Sequence, residues 1–152
     1  RDRLDNEGFN NTIILSYAAK FASNFYGPFR DAVGSSKTLG KTDKKTYQMD
    51  YKNSDEAIRE VSMDINEGAD IVMIKPALPY LDVINKIKEK FNIPIFAYQV
   101  SGEFSMLKFS GEKKIIDYEK CLYESLIAIK RSGASAIFCY GAIDIAKNLK
   151  NE

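Results

Sequence analysis

Ala69-Asp70-Ile71-Val72-Met73-Ile74-Lys75-Pro76-Ala77-Leu78-Pro79-Tyr80 is the stretch that decides how the chain is read. The apolar run from Ile71 to Ile74 has the pattern of a strand buried on both faces. Pro76 offers no N–H to the next rung, so the strand should end at Lys75. A lysine at that place either reaches out into water or is held as a partly desolvated amine. In the second case burial lowers its pKa, and the neutral amine is a nucleophile able to form a Schiff base with a ketone.

A second run, Ile13-Ile14-Leu15-Ser16-Tyr17-Ala18-Ala19-Lys20, has the same form and also ends in lysine. The same tripeptide introduces both, Asn6-Glu7-Gly8 and Asn66-Glu67-Gly68. Glycine there suits the left-handed residue that closes a helix, so the repeat predicts helix end, turn and strand twice over. Two such units would deliver two amines to one rim of one sheet.

Working outward, the periodicity predicts a first strand over 12–18, a long connection over 21–53 and a helix over 54–67. Asn53 and Glu56 stand at capping-box spacing, and Ile58, Val61 and Ile65 form one stripe. The second strand is 70–75, and its helix, 80–91, carries Tyr80, Ile84, Ile87 and Phe91 on one face. A third strand over 94–100, a helix over 117–131, a fourth strand over 136–140 and a helix over 143–150 follow. Such alternation with short helix-to-strand turns predicts a parallel α/β sheet. Four βα units are half of a (β/α)8 TIM barrel, whose chemistry sits at the C-terminal strand ends; an open doubly wound sheet is the alternative. The chain opens on Arg1-Asp2-Arg3-Leu4, which reads as the last turns of a helix. The expectation is the C-terminal half of one barrel domain spanning 1–152.

Composition narrows the chemistry. Hydrophobic residues are 45% of the chain, enough for a core, and the net charge of +1 implies no bulk attraction to nucleic acid. No apolar stretch is long enough to span a bilayer and no signal-peptide pattern occurs, so a cytoplasmic location is expected. Cys121 and Cys139 are too isolated for a disulfide framework or metal knuckle. Histidine is absent, which excludes a Ser-His-Asp triad, a Cys-His pair or a histidine-ligated metal within these residues. Acid–base work falls to Lys, Tyr, Asp or Glu.

Tyr26-Gly27-Pro28-Phe29-Arg30-Asp31 is a turn that brings an arginine close after the first strand. The segment 34–45 carries Lys37, Lys41, Lys44 and Lys45 and has no apolar periodicity. It reads as a surface loop, either simply solvated or a lid that closes over a carboxylate-bearing substrate. Arg30 would offer a planar fork and Lys44 a point charge to that carboxylate. Ser101, after the third strand, and Tyr140, ending the fourth, would together hydrogen-bond a second carboxylate.

The segments SYAAKFASNFYGPFRDA, DKKTYQMDYKNSDEA, EGADIVMIKPALPYLD and AYQVSGEFSML, with the closing CY pair, resemble the signature of the porphobilinogen synthase, or delta-aminolevulinic acid dehydratase, family along essentially the whole chain. That family condenses two molecules of 5-aminolevulinate to porphobilinogen with loss of two waters, early in tetrapyrrole synthesis. The resemblance implies that Lys75 is the Schiff-base lysine and Lys20 the second active-site lysine. It further implies that Ser101 and Tyr140 hold one substrate carboxylate, and Arg30, Lys44 and Gln48 the other. Phe25, Tyr26 and Tyr98 would form pocket walls. Lys44 stands where many relatives carry arginine, so weaker binding is expected there, not lost chemistry. Cys139 is read as a small buried hydrophobe. Glu60 would belong to an allosteric magnesium site between subunits, or be a solvated helix glutamate. Zinc, with ligands in the N-terminal half, is the other metal implied. The resemblance also implies a homo-octamer in the cytoplasm, or the stroma of a plastid-bearing source, binding neither nucleic acid nor membrane. Two rivals remain: a class I aldolase-like imine barrel, which needs only one such lysine, and an inactive half-barrel or interaction module.

Overall fold

The computed structural model describes residues 1–34 and 46–150. Both Asn-Glu-Gly tripeptides close helices, α1 (Asp2–Asn6) and α3 (Ser54–Asn66), with the glycine at positive φ, +86° for Gly8 and +96° for Gly68. The following amides turn back identically. Gly8 and Phe9 N–H donate to the Asp5 and Leu4 carbonyls, and Gly68 and Ala69 to those of Ile65 and Asp64. Each turn then feeds a strand, β1 (Leu15–Lys20) and β2 (Ile71–Lys75). The repeat seen in the sequence is therefore one structural unit used twice.

Between them lie a short 3-10 turn (Asn24–Tyr26) and α2 (Gly27–Ala32). After β2 come a 3-10 turn (Leu78–Tyr80), α4 (Leu81–Lys90), β3 (Ile95–Gln99), α5 (Ser101–Glu112), α6 (Tyr118–Arg131), β4 (Ala136–Cys139) and α7 (Ala142–Leu149). Asn53 caps α3, its Oδ1 accepting from the Asp55 and Glu56 amides at 3.1 and 3.3 Å, a contact worth about 1 kcal/mol.

Two expectations are corrected. β1 begins at Leu15 and runs through Lys20, because Phe9 to Thr12 are spent in a turn closed by Thr12 N–H on the Phe9 carbonyl. The stretch 101–112, to which the periodicity assigned no helix, is α5, which packs on α2, the 24–26 turn and α6.

The strands are all parallel and neighbour one another in sequence order, β1-β2-β3-β4. On the outer face Val72, Ile74, Ile95 and Ala97 pack against Ala57 and Val61 of α3, Val83, Ile84 and Ile87 of α4, and Ile129 of α6. Burying each large aliphatic chain contributes roughly 1.5–3 kcal/mol. The inner face carries the alternate residues, with Met73 beside Phe96 and Tyr98 beside Phe138 in register. A doubly wound sheet reverses its strand order at a switch point and covers both faces with helices. Unidirectional order with the helical layer on one face is instead half of a (β/α)8 barrel. Tyr17, Phe138 and Tyr140 remain nearly half exposed, and β1 and β4 are the open edges.

Candidate active site

Lys20 and Lys75 are partners on the last rung between β1 and β2. In a parallel pair, laterally paired residues face the same way, so both amines rise from the same side of the C-terminal rim. Lys75 Nζ lies 3.9 Å from the centre of the Tyr98 ring, 5.5 Å from Tyr17 and 5.7 Å from Tyr26. Burial, and then the positive charge of Lys20, push its pKa below the usual lysine value. Its backbone is held as well: the Lys75 carbonyl accepts from Phe21 N–H at 3.0 Å and from the Tyr26 hydroxyl at 3.1 Å.

Tyr26 is buried, which raises its pKa and keeps the phenol protonated as a donor. Arg30, one turn further along α2, stacks its guanidinium 5.4 Å from the Tyr26 ring. Phe25 lines a hollow with Ser23, Tyr51 and Tyr80. Ser101 is buried, and its hydroxyl accepts from Phe29 N–H at 3.1 Å, tying the start of α5 to α2. Tyr98 follows on the inner face, its ring 6.3 Å from that of Tyr140, which stands half exposed just beyond β4. Burial, then Tyr140, raises the Tyr98 pKa.

Gln48 reaches the site from the far side of the long connection. Met49 N–H donates to the Lys20 carbonyl and Ala22 N–H to that of Met49, so 48–49 runs beside the end of β1. Gln48 is buried and its Oε1 has no hydrogen-bond partner among the described residues. A buried amide oxygen left unsatisfied is costly unless a ligand or water meets it. Lys44, like the rest of 35–45, lies outside the described residues.

Glu60 lines a groove beside β1 with Ser16, Lys20, Gln48, Glu56 and Asp64. It is 3.7 Å from Arg59, and Asp64 is engaged by the Ser16 hydroxyl at 2.6 Å. Among the described residues no three Cys, Asp or Glu side chains converge on a metal position. Glu60 thus offers a single hard oxygen and no cage. Cys139, expected to be buried, is partly exposed and lies outside the core cluster; the burial it has raises its thiol pKa.

A concavity of about 790 Å³ lies between α3 and α4 on the outer layer and touches none of the candidate site residues. Chemistry, not volume, locates the site. The sequence reading missed two contributors: Tyr17, whose alternation within β1 a register irregularity obscures, and Glu103, whose partners are remote in sequence.

The family model for Delta-aminolevulinic acid dehydratase matches residues 1–148. The enzyme of that name from Bradyrhizobium diazoefficiens is 51% identical over 152 residues, all of this chain and 43% of the relative. That from Archaeoglobus fulgidus is 51% identical over 150 residues, 99% of this chain and 46% of the relative. A chloroplastic one from Arabidopsis thaliana is 52% identical over 152 residues, all of this chain and 35% of the relative. The chain thus spans less than half the length of these relatives. The crystal structure of delta-aminolevulinic acid dehydratase from Toxoplasma gondii, in complex with the reaction product porphobilinogen, superposes with a TM-score of 0.91 at 53% identity, covering 97% of this chain and 42% of that one. Matched by the family model over nearly its whole length and half-identical to members from bacteria, archaea and plants, this chain belongs to the delta-aminolevulinic acid dehydratase family.

Proposed function

We propose that the chain is the C-terminal half of a (β/α)8 porphobilinogen synthase, a lyase, and supplies the imine chemistry that joins two molecules of 5-aminolevulinate. The observation that carries this is the pair of lysines on one rung, with Lys75 half-buried and depressed by burial and by Lys20. The neutral Lys75 amine attacks the substrate ketone, and loss of water leaves an imine. Protonated, that imine has one N–H where the ammonium had three and spreads its charge, so burial costs it less hydration. The Tyr98 ring face, 3.9 Å away, favours that cation. The electron-poor imine then acidifies the neighbouring C–H for carbon–carbon bond formation.

In this reading Lys20 binds and activates the second substrate. Ser101 and Tyr140 hold the carboxylate of the substrate on Lys75; Arg30, Gln48 and Lys44 hold that of the second. The guanidinium above Tyr26 supports the placement of a carboxylate there. Phe25, Tyr26 and Tyr98 act as walls. Glu60 is a candidate source of one oxygen to a magnesium ion held mainly by water or by a neighbouring subunit, with zinc ligands outside these residues; no step of the chemistry is routed through either metal. The exposed inner face of Tyr17, Phe138 and Tyr140 and the two open edges fit closure by an N-terminal half, and we extend the reading to a homo-octamer. Relatives include bacterial and chloroplastic enzymes, and no helix among the described residues is long and apolar enough to cross a membrane. A cytoplasmic or stromal site fits them.

Borohydride reduction in the presence of 5-aminolevulinate tests the reading. On the chain joined to its N-terminal half, a reduced adduct is expected on the peptide containing Lys75. Lys20→Met removes the cation that depresses Lys75, so the Lys75 pKa rises and half-maximal trapping moves to higher pH. Each unit of that shift costs about tenfold in neutral amine below the pKa. Trapping confined to another lysine would overturn the assignment.

A further inference from the structure

Glu103 is 1% exposed, although among the described residues no cation pairs with it. Its carboxylate accepts from three backbone amides: Oε1 from Leu78 at 2.6 Å, Oε2 from Val100 at 2.6 Å and from Ala77 at 3.4 Å. Val100 immediately precedes α5, so that bond is one half of a capping box in which the capping residue has no side-chain acceptor. Ala77 and Leu78 belong to the turn two and three residues beyond Lys75. One side chain therefore fastens the rim beyond β2 to the rim beyond β3.

The neighbouring residues tighten the same joint. Ser101 holds Phe29, and Gly102 is so close to the Phe25 carbonyl that a side chain there would overlap it. Burial raises the Glu103 pKa against the lowering pull of its three amides, so keeping a carboxylate here is a net cost to folding. A helix cap alone would be served by an exposed Ser or Asp at the first position.

We propose that Glu103 is a positioning residue: it sets the separation between the Lys75 amine and the Ser101 hydroxyl, so that a substrate held by its carboxylate presents its ketone to the amine. This rests on the reading of Lys75 as the imine-forming lysine. Glutamine has the shape of glutamate but only one acceptor oxygen. In either orientation its NH2 would face the Leu78 or the Val100 N–H, each now 2.6 Å from an oxygen, and one of the two rim segments must come loose.

The test is the rate of borohydride-trapped imine formation in the full-length protein with 5-aminolevulinate, for the unsubstituted protein, E103Q and E103D. Misplacement by about 1 Å costs on the order of 10²-fold. The expected result for E103Q is a loss of that order in the rate at saturating substrate, with the half-saturating concentration within about threefold of normal, since the binding groups remain. Tyr118→Phe, which removes the hydroxyl bonded to Asp144 at 2.7 Å, is the control for a hydrogen bond lost away from the rim, and it should trap at the normal rate. Normal trapping by E103Q overturns the positioning role and leaves the imine reading intact. No adduct in the unsubstituted protein overturns the imine reading, and the positioning role falls with it. Should E103Q not fold, E103D, whose shorter charged arm cannot reach both segments, gives the same readout. If neither folds, the carboxylate is a folding requirement and the proposal is withdrawn.

Discussion

Replacing Lys75 with alanine is expected to lower porphobilinogen formation by at least about 10⁴-fold, the scale on which loss of a covalent nucleophile falls. Lys20 is the register partner, but from the neighbouring strand it approaches a ketone placed for Lys75 from one inter-strand spacing away. Lys75→Arg should be as inactive, since guanidinium keeps the charge and loses the nucleophile. Stability should change little, because the amine is only half-buried and its burial already opposes the charged form. Steady-state assay of the full-length variants, with circular dichroism confirming the fold, checks this. Near-normal turnover by Lys75→Ala would remove the imine from that residue.

Gly102→Ala is expected to cost about 3 kcal/mol, the upper end of overpacking penalties. A Cβ at Gly102 would overlap the Phe25 carbonyl oxygen and lie 2.9 Å from its carbon and Cα, all of them backbone atoms that cannot swing aside as a side-chain tip would. The lowest-cost escape moves the 24–26 turn away from α5. That turn carries Tyr26, whose hydroxyl holds the Lys75 carbonyl, so the displacement reaches the end of β2. Thermal unfolding should fall by roughly 6–12 °C in a protein of this size or larger. Activity at a temperature where the variant is fully folded should fall as well. An unchanged midpoint would mean that the turn yields freely.

The fold was legible wherever local pattern and tertiary environment agree. Ile71 to Ile74 read as a doubly buried strand and are one; the repeated Asn-Glu-Gly read as two helix ends and are two. The repeat predicted two amines on one rim, and Lys20 and Lys75 do share a rung, although Lys20 follows Gly8 by twelve positions and Lys75 follows Gly68 by seven. α5 was not legible. Its sequence, SGEFSMLKFSGE, has glycine near both ends and a weak apolar stripe, and it is stabilised by contacts with α2 and α6 that no local window contains. Glu103 was hidden for a related reason. The spacing from Val100 is that of a capping box, but valine cannot complete the box, and the other two donors come from across the rim. Lys20, Lys75, Arg30, Lys44, Ser101 and Tyr140 were legible from strand ends, turn and loop, whereas Gln48, Phe25, Tyr26, Tyr98 and Glu60 came from the resemblance alone. Geometry brings Lys20, Lys75, Tyr26, Tyr98, Ser101 and Tyr140 to one rim, with Arg30 and Gln48 at its margin.

The sequential order of the strands also bears on how the chain assembles. Loop-closure entropy rises with the length of chain between paired strands, and the shortest connection here joins β2 to β3 while the longest joins β1 to β2. The β2–α4–β3 unit therefore has the lowest contact order and is favoured as the nucleus on which the remaining strands condense. Lys75 ends the first strand of that unit and Ser101 lies two residues beyond the second, whereas Lys20 arrives with the strand whose docking carries the greatest entropic cost. On the proposed reading, the groups that hold the first substrate are thus framed by the most locally encoded part of the sheet, and the second lysine joins them through the slowest contact to form.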